Sequence, residues 1–303
     1  MKKSLILAAL LLGVGSAQAQ LTSKKGEAYL PAAGDWSIGI DATPFLTYMG
    51  GFLSGAGAVA PTQNFLNANQ TIIGKYFKTD KMAYRGILRI GNSSQNLSNM
   101  VAKTGAAVPT YPALGETVED TYKEKSMNIA IGGGLEWRRG STRLQGYYGG
   151  DVLIGMSNSG RIYEYGNALS ATSPVTSGLG GNTTDWSIGG NPANLTVDTY
   201  GNAARNTEVK DGSVFGLTLR GFGGVEYFVL PKISIAGEFG WGLSFVSAGA
   251  CSTTLESVDN NSGAPVSIGT QTTEGGKVGI FSIDTDRNLT GTASGALRLN
   301  FHF

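Results

Sequence analysis

The sequence predicts an all-β chain, a single antiparallel transmembrane β-barrel most simply built from eight strands. Three observations carry this reading. Eight segments alternate apolar and polar residues with a period of two, as half-buried strands do. Short and long connections between them alternate along the chain, the arrangement of a barrel with tight turns at one end and long loops at the other. The composition is poor in charge, 15% of residues, and rich in glycine, 46 of 303.

Residues 1–19 read as a secretory signal peptide. Lys2 and Lys3 precede an apolar run from Leu5 to Gly15, and Ala17-Gln18-Ala19 is a small-x-small cleavage site. The run is shorter than the ~20 residues a spanning helix needs, and no later stretch is long and apolar enough for one. After cleavage 21 basic side chains remain against 22 acidic. Residues 20–35 are expected as a short periplasmic segment, and residues 36–303 as the barrel.

The first strand is Trp36–Tyr48, with Trp36, Ile38, Ile40 and Ala42 opposed to Ser37, Gly39, Asp41 and Thr43. The second, Gln70–Lys78, is the least clear. The third, Ala83–Ile90, sets Tyr84, Leu88 and Ile90 against Arg85 and Arg89. The fourth, Met127–Trp137, sets Ile129, Ile131, Leu135 and Trp137 against Asn128 and Glu136. The fifth, Arg143–Ile154, opposes Leu144, Tyr148, Val152 and Ile154 to Gln145 and Asp151. In the sixth, Ser213–Val229, Leu217, Leu219, Val225 and Tyr227 oppose Thr218, Arg220 and Glu226. In the seventh, Ile233–Phe245, Ile235, Phe239, Trp241 and Leu243 oppose Ser234, Glu238 and Ser244. The eighth, Ala293–Phe303, opposes Leu297, Leu299, Phe301 and Phe303 to Arg298, Asn300 and His302. Turns at 79–82, 138–142 and 230–232 are short, whereas the connections at 49–69, 91–126, 155–212 and 246–292 are long. Ten strands result if the 155–212 connection dips back as a hairpin.

In a barrel the polar face turns inward. The expected lumen network then holds five acids, Asp41, Glu136, Asp151, Glu226 and Glu238, and four bases, Arg85, Arg89, Arg220 and Arg298. An unpaired buried charge costs several kcal/mol or more, so near-balance predicts mutual pairing that plugs the interior. A proton or ion path is the functional alternative. Trp36, Tyr76, Tyr84, Trp137, Tyr227 and Phe303 fall at the short-turn end, where they would form an aromatic girdle at the periplasmic interface.

With eight strands, three tight turns, four long loops and a terminal Leu297-Arg298-Leu299-Asn300-Phe301-His302-Phe303 strand, the chain resembles the small eight-stranded bacterial outer-membrane barrels of the OmpA-domain, OmpX and OmpW type. The resemblance implies residence in the outer membrane among its lipids. It also implies that Leu299, Phe301 and Phe303 form a signal read by the barrel-assembly machinery. No peptidoglycan-binding domain is expected after the barrel, unlike full-length OmpA.

Catalysis has little to stand on. The single His, His302, lies at the periplasmic end, away from the outer rim where a membrane hydrolase or acyltransferase would work. One Cys, Cys251, excludes an internal disulfide and a Cys-based zinc site. The sequence Asp284-Thr285-Asp286-Arg287-Asn288 imitates a calcium loop but carries Leu289 and Gly295 where Gly and Glu are required. No cofactor is expected, and near-neutral charge argues against nucleic acid. Specificity falls to the loops. Tyr163, Tyr165, Trp186 and Tyr200 are expected as an external aromatic patch for a protein partner or extracellular ligand, unless they cover one another in a folded loop. The expected function is a non-enzymatic surface barrel that binds a partner, stabilises the envelope or serves as an accessory subunit, with a narrow porin-like channel as the alternative.

Overall fold

A computed structural model describes residues 21–42, 51, 71–107, 110–111, 113–178, 180–259, 268–285, 287–288, 291–292 and 296–303. The proposed signal peptide and the distal part of the first predicted strand lie outside them. The strands are β1 (Trp36–Asp41), β2 (Ile72–Thr79), β3 (Met82–Ala102), β4 (Thr117–Arg139), β5 (Leu144–Glu164), β6 (Leu195–Val197), β7 (Ala203–Lys210), β8 (Val214–Leu230) and β9 (Ile233–Ala248). They continue with β10 (Ser252–Val258), β11 (Ile268–Glu274), β12 (Val278–Thr285), β13 (Arg287–Asn288), β14 (Gly291–Thr292) and β15 (Ala296–His302). Thirteen belong to one antiparallel sheet, and β13 pairs only with β14.

Within that sheet eight strands pair in a cycle, from β1 through β2, β3, β4, β5, β8, β9 and β15 back to β1. The cycle is uneven. β1, β2 and β15 are 6, 8 and 7 residues long, against 21, 23 and 21 for β3, β4 and β5. β12 and β15 lie end to end along one edge of β9.

Alternation sorts the side chains in a sense opposite to that of a water-soluble sheet. Along β3 the inward Arg85, Ile87 and Arg89 are buried, while the outward Tyr84, Leu88 and Ile90 are exposed. The same holds on β4, β5, β8 and β9, where Ile131, Val152, Leu219, Trp241 and Phe245 face out and Glu136, Asp151, Thr218, Glu238 and Ser244 face in.

Several predicted loops prove to be strand. The 91–126 connection is largely the paired extension of β3 and β4, which stay in register from Met82↔Trp137 to Ala102↔Thr117. Both faces of that extension are polar over most of its length, so the backbone ladder continues where the hydrophobic period stops. The 155–212 segment completes β5 and supplies β6 and β7. The 246–292 segment supplies β10, β11 and β12. These strands widen the sheet at the loop end, and the 155–212 segment adds no pair to the eight-strand cycle.

The turn end is braced by residues 21–35. The Arg143 guanidinium lies 3.6 Å from the Tyr29 ring centroid, the Ala33 amide donates to Asp80 Oδ1 at 3.0 Å, and Lys232 Nζ reaches Asp35 Oδ2 at 2.6 Å. Arg143, Asp80 and Lys232 belong to three different turns, so this short segment ties all of them together. Lys232 takes a left-handed φ of 64° in the β8–β9 turn. An L side chain adopts that conformation only at some cost.

Candidate functional site

The interior of the eight-strand cycle is filled from the turn end upward. Phe77 on β2 and Phe228 on β8 are fully buried, and the His302 ring packs between them at 5.8 and 5.2 Å. The Arg138 guanidinium faces both phenyl rings, at 5.3 and 5.7 Å. It donates to Glu226, which also accepts from Ser234 Oγ and from Asn300 Nδ2 at 2.6 Å. His302 Nε2 stands 3.0 Å from Ser234 Oγ and 3.3 Å from Glu226 Oε1. All three members of this Ser-His-Glu grouping are buried.

One step higher, three carboxylates surround Arg85. Its Nη1 donates to Glu136 Oε2 at 3.1 Å and to Glu238 Oε2 at 2.8 Å, and its Nε lies 3.3 Å from Asp151 Oδ1. Lys75 Nζ reaches Glu136 Oε2 at 2.8 Å. Glu238 also accepts from Arg220 at 2.9 Å and from Arg298 at 3.3 Å, and Arg220 lies 3.3 Å from Asp151. The flat faces of Phe222 and Tyr147 close the gaps, with Arg85 at 3.8 Å from the first ring and Lys75 at 4.9 Å from the second. Such cation–ring contacts are strongest where water is excluded. Above this layer Ile73, Ile87 and Leu153 form a small apolar cluster.

Glycine makes the layer possible. A Cβ at Gly134 would overlap the Asp151 carboxylate, and one at Gly240 would overlap the Arg220 guanidinium. Glycine at an inward strand position leaves room for a long charged side chain from the neighbouring strand.

The ion pairs measured above take in seven of the nine predicted network residues, namely Arg85, Glu136, Asp151, Arg220, Glu226, Glu238 and Arg298. Asp41 stands opposite Arg298 in the β1–β15 register, and Arg89 is buried on β3 beyond Ile87. Both lie toward the loop end of the main layer. The sequence reading missed Lys75, Arg138 and His302 as members. Lys75 shares the phase of Ile73 and Phe77, and Arg138 shares that of Glu136, so alternation carried one step further finds both. Arg138 had been placed in a turn.

The six predicted girdle residues sit at the turn end. Trp36 and Tyr76 are 4.8 Å apart and Tyr76 stacks on Tyr84 at 6.5 Å. Trp137 lies 6.0 Å from Tyr148, an outward neighbour left out of the predicted set. Tyr227 is half-buried near Arg143, and Phe303 is exposed. Leu299, Phe301 and Phe303 point outward from the last strand and its end, between β1 and β9.

Of the two readings of the external aromatics, display patch and mutual cover, the packing bears out cover for Tyr163, Tyr165 and Trp186 and corrects the patch. Tyr163 and Trp186 are buried, packed with Tyr122 of β4 at 5.3 Å (Tyr122–Tyr163) and 5.8 Å (Tyr122–Trp186). Tyr165 packs against the same cluster, and its hydroxyl donates to the Asn206 carbonyl at 2.6 Å. Only Tyr200 is exposed, at 75%. Burial of ring area outweighs display because the 165–202 segment folds back over the inward face of the long strands.

That segment is a cap with a polar core. The buried Asp120 carboxylate accepts from the Gly166 amide at 2.9 Å and from the Thr184 amide and hydroxyl at 2.8 and 2.9 Å. The buried Arg205 donates to Glu256 at 2.7 Å, Thr183 at 3.0 Å and the Asn167 carbonyl at 2.6 Å. Asp198 accepts from Tyr200 N, Asn202 N, Asn202 Nδ2 and Ser257 Oγ at 2.7–3.0 Å. Burial pushes the Asp198 carboxyl up, but these four donors outweigh it and hold it down to about 2. Among the described residues no three His, Cys, Asp or Glu side chains stand together as metal ligands.

Comparison with family models, with curated proteins and with solved structures finds no match.

Proposed function

We propose that this chain is an integral outer-membrane β-barrel that is closed to solutes and does no catalysis. Its work is done at the loop end, where the widened sheet and its cap present a surface to a protein partner or extracellular ligand. One observation carries the reading, the reversal of burial around the eight-strand cycle. Outward positions hold Ile131, Val152, Ile154, Leu219, Trp241 and Phe245, all exposed, while inward positions hold buried charges. In water so continuous an apolar surface would drive association. In a bilayer it is the required outer face, and the eight-strand cycle pairs the short strands β1, β2 and β15 on both sides, as a spanning sheet needs.

The filled interior favours a closed barrel over a channel. Eight strands enclose a lumen that side chains can fill. Here Phe77, Phe228 and Phe222, with the ion pairs around Arg85 and Glu238, occupy it across the turn half.

The test is refolding into lipid vesicles, followed by gel mobility with and without boiling and by planar-bilayer recording. The expected outcome is a heat-modifiable band, sedimentation with outer membranes and a quiet bilayer. A steady conductance from purified protein would replace the closed barrel with a narrow channel. A protein extracted without detergent would remove the membrane reading altogether. Mild-detergent extraction from the native membrane then identifies what travels with the loop end.

A further inference from the structure

We propose that the outward face of β4, β5 and β7, just above the apolar belt, binds the phosphorylated headgroup of a glycolipid in the leaflet at the loop end. The inference rests on the membrane reading above and adds a ligand to it.

The last fully apolar outward row is Ile90↔Ile129↔Met156. The next outward row toward the loops is Asn92↔Met127↔Asn158. The one after that is Ser94↔Lys125↔Gly160↔Lys210, continuing to Ser252 on β10. Polar side chains therefore begin where hydrocarbon would end, and two lysines lie immediately above that boundary. Lys125 and Lys210 flank Gly160, two strand spacings apart, which is about 10 Å between backbones. With no side chain at Gly160, two four-carbon stems can converge on one phosphate between them.

The charges are layered. On β4, β5 and β7 the acids of this face, Glu208, Glu164 and Glu119, occupy the rows above, and Glu274 of β11 stands beyond Ser252 at the far end of the lysine row. Lys210 pairs with Glu208 at 2.9 Å and Lys123 with Glu164 at 2.8 Å, both in exposed positions. Exposed pairs of this kind hold weakly and yield readily to a doubly charged phosphate. Lys125 is exposed and pairs with no acid among the described residues. The site is also concave, a hollow of ≈ 590 Å³ lined on this face by Asn92, Asn158 and Ser252 besides the lysines and Glu208. Amides and hydroxyls beside paired cations suit a phosphorylated sugar better than a simple glycerophosphate, which offers few hydroxyls to bind.

Native mass spectrometry of the full chain in mild detergent tests this with three probes: lipid A, its dephosphorylated form and phosphatidylglycerol. The wild type is expected to retain lipid A about tenfold better than either of the others. K125Q/K210Q is expected to lose that preference, while K103Q, which removes a lysine in the connection between β3 and β4, keeps it. Equal retention of dephosphorylated lipid A, or of phosphatidylglycerol, would overturn the proposal in the wild type alone, whatever the variants do. An unchanged preference in K125Q/K210Q would also overturn it. Heat-modifiable gel mobility is recorded for each sample. A folded, membrane-inserted protein without lipid preference refutes this site only, whereas a chain that never inserts refutes the barrel reading with it.

Discussion

Arg85 and Glu238, 153 residues apart in sequence, meet across the interior as a two-pronged pair, Nη1 to Oε2 at 2.8 Å and Nη2 to Oε1 at 3.2 Å. Each is also shared. Arg85 serves Glu136 and Asp151, and Glu238 serves Arg220 and Arg298. Removing one member of a buried pair leaves an uncompensated charge, at about 3–5 kcal/mol. R85A and E238A are each expected to lower urea stability of the vesicle-refolded protein by that order. The double variant should cost clearly less than the sum, because it removes the charge that each single change strands. Strict additivity in the cycle would show that the pair is not energetically coupled.

The glycines divide by face, and the division is measurable. Inward Gly134 has no room for a Cβ beside Asp151 and the Gly150 carbonyl, whereas outward Gly74 and Gly86 have nothing within 4 Å. Gly134→Ala should destabilise by about 1–3 kcal/mol, the usual cost of overpacking. Gly74→Ala and Gly86→Ala should be neutral or stabilising by up to about 1 kcal/mol, because alanine restricts the unfolded chain. Parallel urea titrations of the three variants decide it. Similar losses at all three would mean that the faces are misassigned.

The cap is a separable layer. Asp120 holds it through three donors, and Trp186 through burial against Tyr122. Truncating a buried Trp costs about 3–5 kcal/mol, and losing a charged acceptor about 1.5–3 kcal/mol per hydrogen bond. D120A and W186A are therefore expected to open residues 165–202 to protease at neutral pH while the heat-modifiable band persists. Loss of that band in either variant would show that the cap and the eight-strand cycle fold as one unit.

What the sequence showed and what it hid follow from solvent. Where one face of a strand is apolar and the other polar, period-two alternation is strong, and β3, β4, β5, β8 and β9 are legible to within a few residues over that stretch. Beyond the belt both faces of a strand are polar. The residues 91–102 and 117–126 thus read as loop although they pair without a break. The cap was hidden for a related reason. Its core is Asp120, Asn167, Asn182, Asn194 and Arg205, residues that read as solvent-facing one at a time and become buried only through one another. For Tyr163 and Trp186 the sequence leaves display and mutual cover both open, because their partner, Tyr122, lies in a stretch that reads as loop.

Asp198 gives the cap a pH limit of known sign. Four donors hold its carboxyl at about 2, below its ordinary 3.8. A carboxyl with a lowered folded-state pKa contributes stability that is complete above the unfolded value and is lost as pH falls through the folded one. The cap should therefore be fully held above about pH 4 and loosen between about 4 and 2. Pepsin cleavage within 180–202, followed across that window, is the measurement. In D198N the side chain is neutral at every pH, so cleavage should already be raised at pH 5, and its rise between 4 and 2 should flatten. A wild-type profile that stays level down to pH 2 would mean that the Asp198 hydrogen bonds do not hold the segment.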